Sequence, residues 1–114
     1  MARTERIAHI ERFEVYWVDL DPTAGHEIKK TRPCVVISPD ELNFSMDTVI
    51  VAPLSSQSKH YPYRVASHFK EIKGQIALDQ MRCVDKSRLR KRMGRIEDSK
   101  AESLLLVLAE MFAW

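Results

Sequence analysis

Thr31-Arg32-Pro33-Cys34-Val35-Val36-Ile37-Ser38 is the stretch that decides the fold. Cys34 to Ile37 is a continuous apolar run of β-favouring residues, the pattern of a strand covered on both faces rather than lying half in solvent. Upstream, Val15, Tyr16, Trp17 and Val18 predict a strand from Glu14 to Leu20. Between the two lies a polar loop over 21–32, punctuated by Pro22 and Gly25. Downstream, Ser38-Pro39-Asp40 closes the run, with room for a helical turn through Glu41, Leu42 and Asn43. A second buried strand is expected from Thr48 to Ala52, ended by Pro53. After a polar loop from Leu54 to Pro62, strand character resumes at Tyr63 to Ala66. Glu71-Ile72-Lys73-Gly74 reads as a hairpin turn into a strand at Gln75 to Leu78, joined by Met81 to Val84 and by Met93 to Ile96.

The chain closes on a helix. Ser99 with Glu102 three residues on fits a capping box, and Leu104, Val107, Leu108 and Met111 recur at helical spacing. Leu105 and Phe112 widen that stripe, which suits a helix laid on a curved sheet and part of a subunit contact. Short strands followed by one helix imply a mainly β (α+β) fold, a small, mostly antiparallel barrel with a helix attached. Residues 1–12 read as an N-terminal arm and 13–114 as one domain.

Composition narrows function only a little. The 114 residues are 45% hydrophobic and 30% charged, which argues against disorder, and a net charge of +2 does not announce a nucleic-acid binder. The distribution says more, because Lys86, Arg88, Arg90, Lys91, Arg92 and Arg95 run together without an acid. Charges are spread through MARTERIAHIER and no apolar run is long enough for a membrane span, so a cytoplasmic protein is expected. Cys34 and Cys83 sit in strand-like stretches and read as buried, inert thiols. Neither has a second cysteine or a histidine at ligand spacing, so no metal and no cofactor are expected.

Polar residues collect in three places left as loops or strand ends, where binding groups usually sit. In DPTAGHE at 21–27, His26 and Glu27 follow Gly25, and Arg32 stands at the mouth of the buried strand. A guanidinium there can reach a planar anion, or it can form a solvated ion pair with Glu27. In PLSSQSKHYPY at 53–63, Ser55 and Ser56 offer donors to a phosphate, and Gln57 and Lys59 stand beside them. His60 and Tyr61 add rings on which bases stack, whereas Tyr63 reads as packing at the base of the loop. In LDQMRCVDKSRL at 78–89, Asp79 and Gln80 can orient a ribose or read a base edge, or equally brace a loop. Arg82 follows at same-face spacing, and Lys86 and Arg88 open the basic run, a phosphate-tracking patch or a charged surface. No Gly-rich phosphate loop and no Ser-His-Asp arrangement is present. The chemistry left is metal-free phosphodiester cleavage, with the ribose 2′-hydroxyl as nucleophile.

DPTAGHE with TRPCVVIS after it resembles the first signature of the MazF/PemK/Kid toxins. VAPLSSQSKHYPYRV is similar to their second signature and ALDQMRCVDKSRL to their third, in order from about Val15 to Leu89. The resemblance implies an SH3-like barrel with a C-terminal helix, working as a homodimer. It implies cleavage of single-stranded RNA at short sequences, leaving 2′,3′-cyclic phosphate and 5′-hydroxyl ends. It also implies a cognate antitoxin whose acidic tail lies across the RNA groove. Carried over by position, Arg32 is the acid and transition-state stabiliser, Ser55 the contact to the scissile phosphate and Glu27 a candidate base. His26 and Asp79 match the PemK-like branch, but the arginine which that branch carries two residues before the aspartate is Ala77 here, which shifts acid duty toward Arg32. Two further departures are Phe13-Glu14, where the family opens its first strand with glycine and an acid, and Lys30-Thr31, where glycine precedes Arg-Pro. The rival on the same fold is a CcdB-type gyrase binder that cleaves nothing, echoed by the terminal Met111-Phe112-Ala113-Trp114.

Overall fold

The structure, a computed structural model, describes residues 9–57 and 59–114. The described residues form seven strands: β1 Glu14–Asp19, β2 Thr31–Val36, β3 Thr48–Ser55, β4 Arg64–Phe69, β5 Ile72–Ala77, β6 Arg82–Asp85 and β7 Leu89–Arg95. A short helix, α1 Asp40–Ser45, separates β2 from β3, and α2 Asp98–Met111 ends the fold. Strands follow the order β4-β5-β3-β2-β1-β7, with β6 added to β3, and every pairing is antiparallel. The result is a curled sheet, half a barrel, with the helix beside it.

The apolar run of β2 explains the curl. Val35 and Ile37 face one core with Val15, Ala52, Leu54, Val65, Ile76 and the α2 residues Ala101 and Leu104. Cys34 and Val36 face a second, with Ile10, Tyr16, Val18, Leu20, Val49, Val51 and Val84. Alternate residues of one strand thus enter two cores, so none of the run can be polar.

Several boundaries differ from the sequence expectation. Pro53 does not end β3, which continues to Ser55. On one side Pro53 stands opposite Cys34 of β2, while on the other the partner changes from β6, last paired at Val51, to β5, first paired at Leu54. In that gap no neighbour requires the N–H that proline lacks. The β4–β5 turn is Lys70-Glu71, with Phe69 opposite Ile72, so Gly74 lies inside the strand. Gly74 is needed for close approach and not for turning, since a Cβ there would lie 1.9 Å from the Ser55 carbonyl oxygen. Helix α2 starts one residue before the expected cap: Glu97 occupies the cap position without a side-chain hydrogen bond. Buried Ile96 and the Arg95–Asp98 ion pair, Nη1 to Oδ1 at 2.8 Å, deliver the chain into its first turn, so Ser99 is already helical. Cys34 is buried as expected, and burial pushes its thiol up to about 12 against the opposing pull of Arg82 and Arg32. Cys83 is exposed, contrary to expectation, because its place on β6 faces away from both cores.

Of the arm expected over 1–12, residues 1–8 lie outside the described residues, and 9–12 are held on the sheet. Ile10 enters the second core, and Arg12 donates from its backbone to Asp40 Oδ1 at 2.7 Å and from Nε to the Ile37 carbonyl at 3.0 Å. Phe13 and Lys30, which replace the family's glycines, keep a left-handed backbone at φ 74° and 70°. The entry to β1 and the exit of the long loop therefore retain a glycine-like path without glycine.

Glu14 ties this end together. Its buried carboxylate accepts from the Glu11 N–H at 2.7 Å, the Tyr16 hydroxyl at 2.7 Å and Arg92 Nε at 2.5 Å. Burial alone would raise its pKa, but these three donors bring it below the ordinary 4.5. A carboxyl depressed in the folded state contributes stability at pH above 4.5 that is lost as pH falls through the folded value. Unfolding midpoints measured between neutral and acid pH are expected to drop below that point. Glu14→Gln should be less stable at neutral pH and show a shallower acid drop, and parallel profiles for the two proteins would contradict this account.

Candidate active site

Three strands converge on one face. The β2–β3 ladder pairs Cys34 with Pro53, and extending that register two residues sets Arg32 across from Ser55. Ser55 is paired on its other side with Gln75 of β5, and Ala77, two residues on, stands opposite Arg64 at the head of β4. Strand alternation therefore puts Arg32, Ser55 and Arg64 on one face, opposite the face that carries Leu54, Val65 and Ile76 into the α2-side core.

These side chains line a cleft of about 460 Å³ with His26, Glu27, Lys29, Ser56, Gln57, Tyr61 and Gln80. With the charge of Arg64 matched by Asp79, Lys29 and Arg32 face one further carboxylate, Glu27, so the cleft favours an anion. Asp79 and Arg82 stand in an adjoining recess of about 380 Å³ that shares His26, Glu27 and Gln80. His60 lies further along, in a groove of about 1080 Å³ between the β4–β5 hairpin and α2. Ser56 and Gln57 belong to both the cleft and the groove, so the two are continuous.

Each candidate has a definite environment. Arg32 makes no ion pair with Glu27; among the described residues its one hydrogen bond runs from Nε to the Lys29 carbonyl at 3.2 Å. Glu27 Oε1 instead accepts from the Ala24 N–H at 2.6 Å, closing the turn in which Gly25 adopts φ 57°. Ser55 is buried at the end of β3, and its Oγ accepts from the Gln57 N–H at 3.2 Å. Tyr61, half-buried, holds its ring 4.4 Å from the Arg64 guanidinium carbon and 5.5 Å from Lys59 Nζ. Tyr63, expected to pack at the loop base, is exposed at φ 58°. The tight return into β4 uses that residue as its pivot, leaving Tyr61 to pack.

Some candidates brace the loop, Gln80 while also lining the cleft. Gln80 accepts from the Ile28 N–H at 2.8 Å and donates to the His26 carbonyl at 3.3 Å. Arg82 donates to the Leu20 carbonyl at 2.8 Å, and Arg88 to the Asp19 carbonyl at 3.0 Å and to that of Asp21. Lys86 donates to the Asn43 carbonyl at the end of α1. Lys86 and Arg88 are not brought to the cleft, because unpaired carbonyls of the loop and of α1 take their donors.

Arg64 is the residue that sequence reading passed over. Its Nε and Nη2 donate to Asp79 Oδ1 and Oδ2 at 2.7 and 3.0 Å, a bidentate pair with the Arg64 side chain only 8% exposed. Position 77 lacks an arginine, yet a guanidinium reaches Asp79 from the neighbouring strand. The signal is the β4–β5 register, which places Arg64 across from Ala77 and cannot be read from spacing along one strand.

Residues 11–112 match the model of a family described as PemK-like, MazF-like toxins of type II toxin–antitoxin systems. The chain belongs to this family. Endoribonuclease PemK of Escherichia coli is 32% identical over 106 residues, covering 88% of this chain and 80% of PemK. The endoribonuclease toxin MazF of Escherichia coli K12 is 37% identical over 71 residues, 62% of this chain, and the match spans 64% of MazF's length. A crystal structure of MazF from Deinococcus radiodurans aligns with a TM-score of 0.79 at 24% identity, covering 90% of this chain and 96% of that one. A mycobacterial endoribonuclease solved with its cognate antitoxin aligns at 0.77 and 19% identity, covering 92% and 98%. At those identities the structural likeness establishes the fold alone. Among the described residues no helix is long and apolar enough to cross a membrane, and no three His, Cys, Asp or Glu side chains are placed to hold a metal ion.

Proposed function

We propose that this PemK/MazF-like toxin is a sequence-specific, metal-independent endoribonuclease that cleaves single-stranded RNA in the cytoplasm. The observation that carries the reading is the cleft itself. Arg32, Ser55, His26 and Glu27, from β2, β3 and the long loop, line one anion-favouring space beside the ring of Tyr61. A phosphate seated there meets Arg32 and the Ser55 hydroxyl, and a base can stack on Tyr61. The 2′-oxygen bonds to phosphorus as the bond from phosphorus to the 5′-oxygen breaks. The 2′-hydroxyl proton passes to a base, Glu27 or His26, and the 5′-oxygen takes a proton from the Arg32 side. Products are a 2′,3′-cyclic phosphate and a 5′-hydroxyl, with no external oxidant, reductant or metal in the balance. In this reading Asp79, both of whose oxygens accept from Arg64, organises the site or contacts a ribose rather than taking that proton.

The strand leaves the cleft past Ser56, Gln57 and His60 into the larger groove, flanked by Lys70, Lys73, Arg95 and Lys100. The same cations suit the acidic tail of a cognate antitoxin, which would block the RNA path. Leu105, Leu106 and Phe112 are exposed on and just after α2, an apolar surface suited to a second copy in a homodimer. Purified toxin incubated with single-stranded RNA in excess EDTA is expected to cleave it at an undiminished rate. Cleavage that stops with EDTA and returns with a divalent ion would overturn the metal-free mechanism.

A further inference from the structure

We infer that Arg64 is a second catalytic cation of the site, one that grips a non-bridging oxygen of the scissile phosphate through Nη1. This rests on the ribonuclease reading and adds to it Arg64, which lies within the second signature stretch but is not among the site residues that the resemblance implies.

Three observations converge on it. Arg64 lines the same cleft as Arg32 and Ser55, on the same face of the sheet. Two of its three nitrogens are fixed on Asp79, and the ring of Tyr61 covers the guanidinium at 4.4 Å, so the plane has little freedom left. Nη1, among the described residues, has no hydrogen-bond partner. A side chain only 8% exposed whose guanidinium keeps one edge unpaired is aligned in advance toward an anion, so little reorganisation is needed when charge develops. Its hydrogen bonds to the Asp79 carboxylate also hold it firmly in the charged state. A purely structural ion pair would satisfy the carboxylate equally well, but its free edge would then need no particular direction. Arg64 moves no proton in this account; it stabilises the negative charge that the pentacoordinate phosphorus places on its oxygens, reaching the phosphate from β4 as Arg32 does from β2.

The test uses a single-stranded oligoribonucleotide spanning a mapped cut site, and the same oligonucleotide with sulfur replacing either non-bridging oxygen of the scissile phosphate. The wild-type protein should be slowed by one thio isomer more than by the other. Arg64→Gln should cleave the oxygen substrate about 10²–10³-fold more slowly, while the difference between thio isomers shrinks. Binding of a copy with 2′-deoxyribose at the cut should fall far less than the rate. Arg64→Lys keeps the charge but not the fork and should recover little of the rate. The proposal is overturned, with the ribonuclease reading intact, if Arg64→Gln cleaves near the wild-type rate or stays slow with its thio discrimination unchanged. The second result would make Arg64 a positioning residue for Asp79. If the wild-type protein cuts no RNA, the ribonuclease reading itself fails and the proposal falls with it.

Discussion

Arg32→Ala is expected to fold normally, to bind uncleaved RNA and to lose about 10²–10³-fold in cleavage rate, the usual cost of one preorganised donor at a charge-developing centre. A phosphodiester passing to a pentacoordinate state gains charge on its non-bridging oxygens, and its leaving 5′-oxygen needs a proton or a strong donor. Arg32 is suited to this because β2 fixes its backbone while its side chain is engaged only once, by the Lys29 carbonyl. No ion pair with Glu27 has to be broken before it can reach a phosphate. Stability should barely change, since the guanidinium is outside both cores. Growth toxicity should disappear in parallel. Arg32→Lys should recover little, because an ammonium cannot reproduce the planar fork. A folded Arg32→Ala protein with near-normal cleavage would mean that the acid has been misassigned, with His26 the next candidate.

Gly74→Ala should produce the largest loss of stability. The methyl would lie 1.9 Å from the Ser55 carbonyl oxygen and 2.9 Å from both the Ser55 carbonyl carbon and Ser56 Cα. All three atoms are backbone, so no side-chain rotation relieves the clash and β3 or β5 must move. Overpacking costs about 1–3 kcal/mol and sometimes more, and a backbone clash belongs at the upper end. For a chain of this size that corresponds to a Tm lower by about 10 °C. Because the clash falls on the backbone of Ser55 itself, cleavage by the surviving folded protein should fall as well. Gly25→Ala is the control: nothing lies within 4 Å of a Cβ there, and only its φ of 57° opposes the change. Thermal unfolding of the two variants checks this, and equal, small shifts would contradict the reading of Gly74.

The fold was legible where one residue type could satisfy only one environment. Cys34 to Ile37 had to be apolar because successive side chains enter two cores, and the α2 stripe because Leu104 and Ala101 close the first of them. What failed were rules that read a residue alone. Pro53 suggested a strand end, but a change of neighbour along β3 leaves its missing N–H without consequence. Gly74 suggested a turn, but it serves strand contact, and the turn falls on Lys70-Glu71. Ser99 and Glu102 matched a cap, but the anchoring of Ile96 sets where the helix starts.

The candidate site divides in the same way. Arg32, Ser55, Glu27 and His26 were visible because loops and strand ends on a rigid sheet gather polar groups, and the structure sets all four around one cleft. The roles of Lys86 and Arg88 depended on which backbone carbonyls of the loop and α1 lacked partners, which no local pattern encodes. Arg64 was invisible for a related reason: its relation to Asp79 crosses from one strand to another, and only the register reveals it.

The central claim is that this cleft cuts RNA by attack of the 2′-hydroxyl. The most direct measurement is to incubate the pure toxin with a long single-stranded RNA and determine the chemistry and sequence position of every new end. Fragments should carry 2′,3′-cyclic phosphate and 5′-hydroxyl ends, cluster at one short sequence, and form about 10²–10³-fold more slowly with Arg32→Ala. Intact RNA from a folded, wild-type protein, or fragments ending in 3′-hydroxyl and 5′-phosphate groups, would contradict the account.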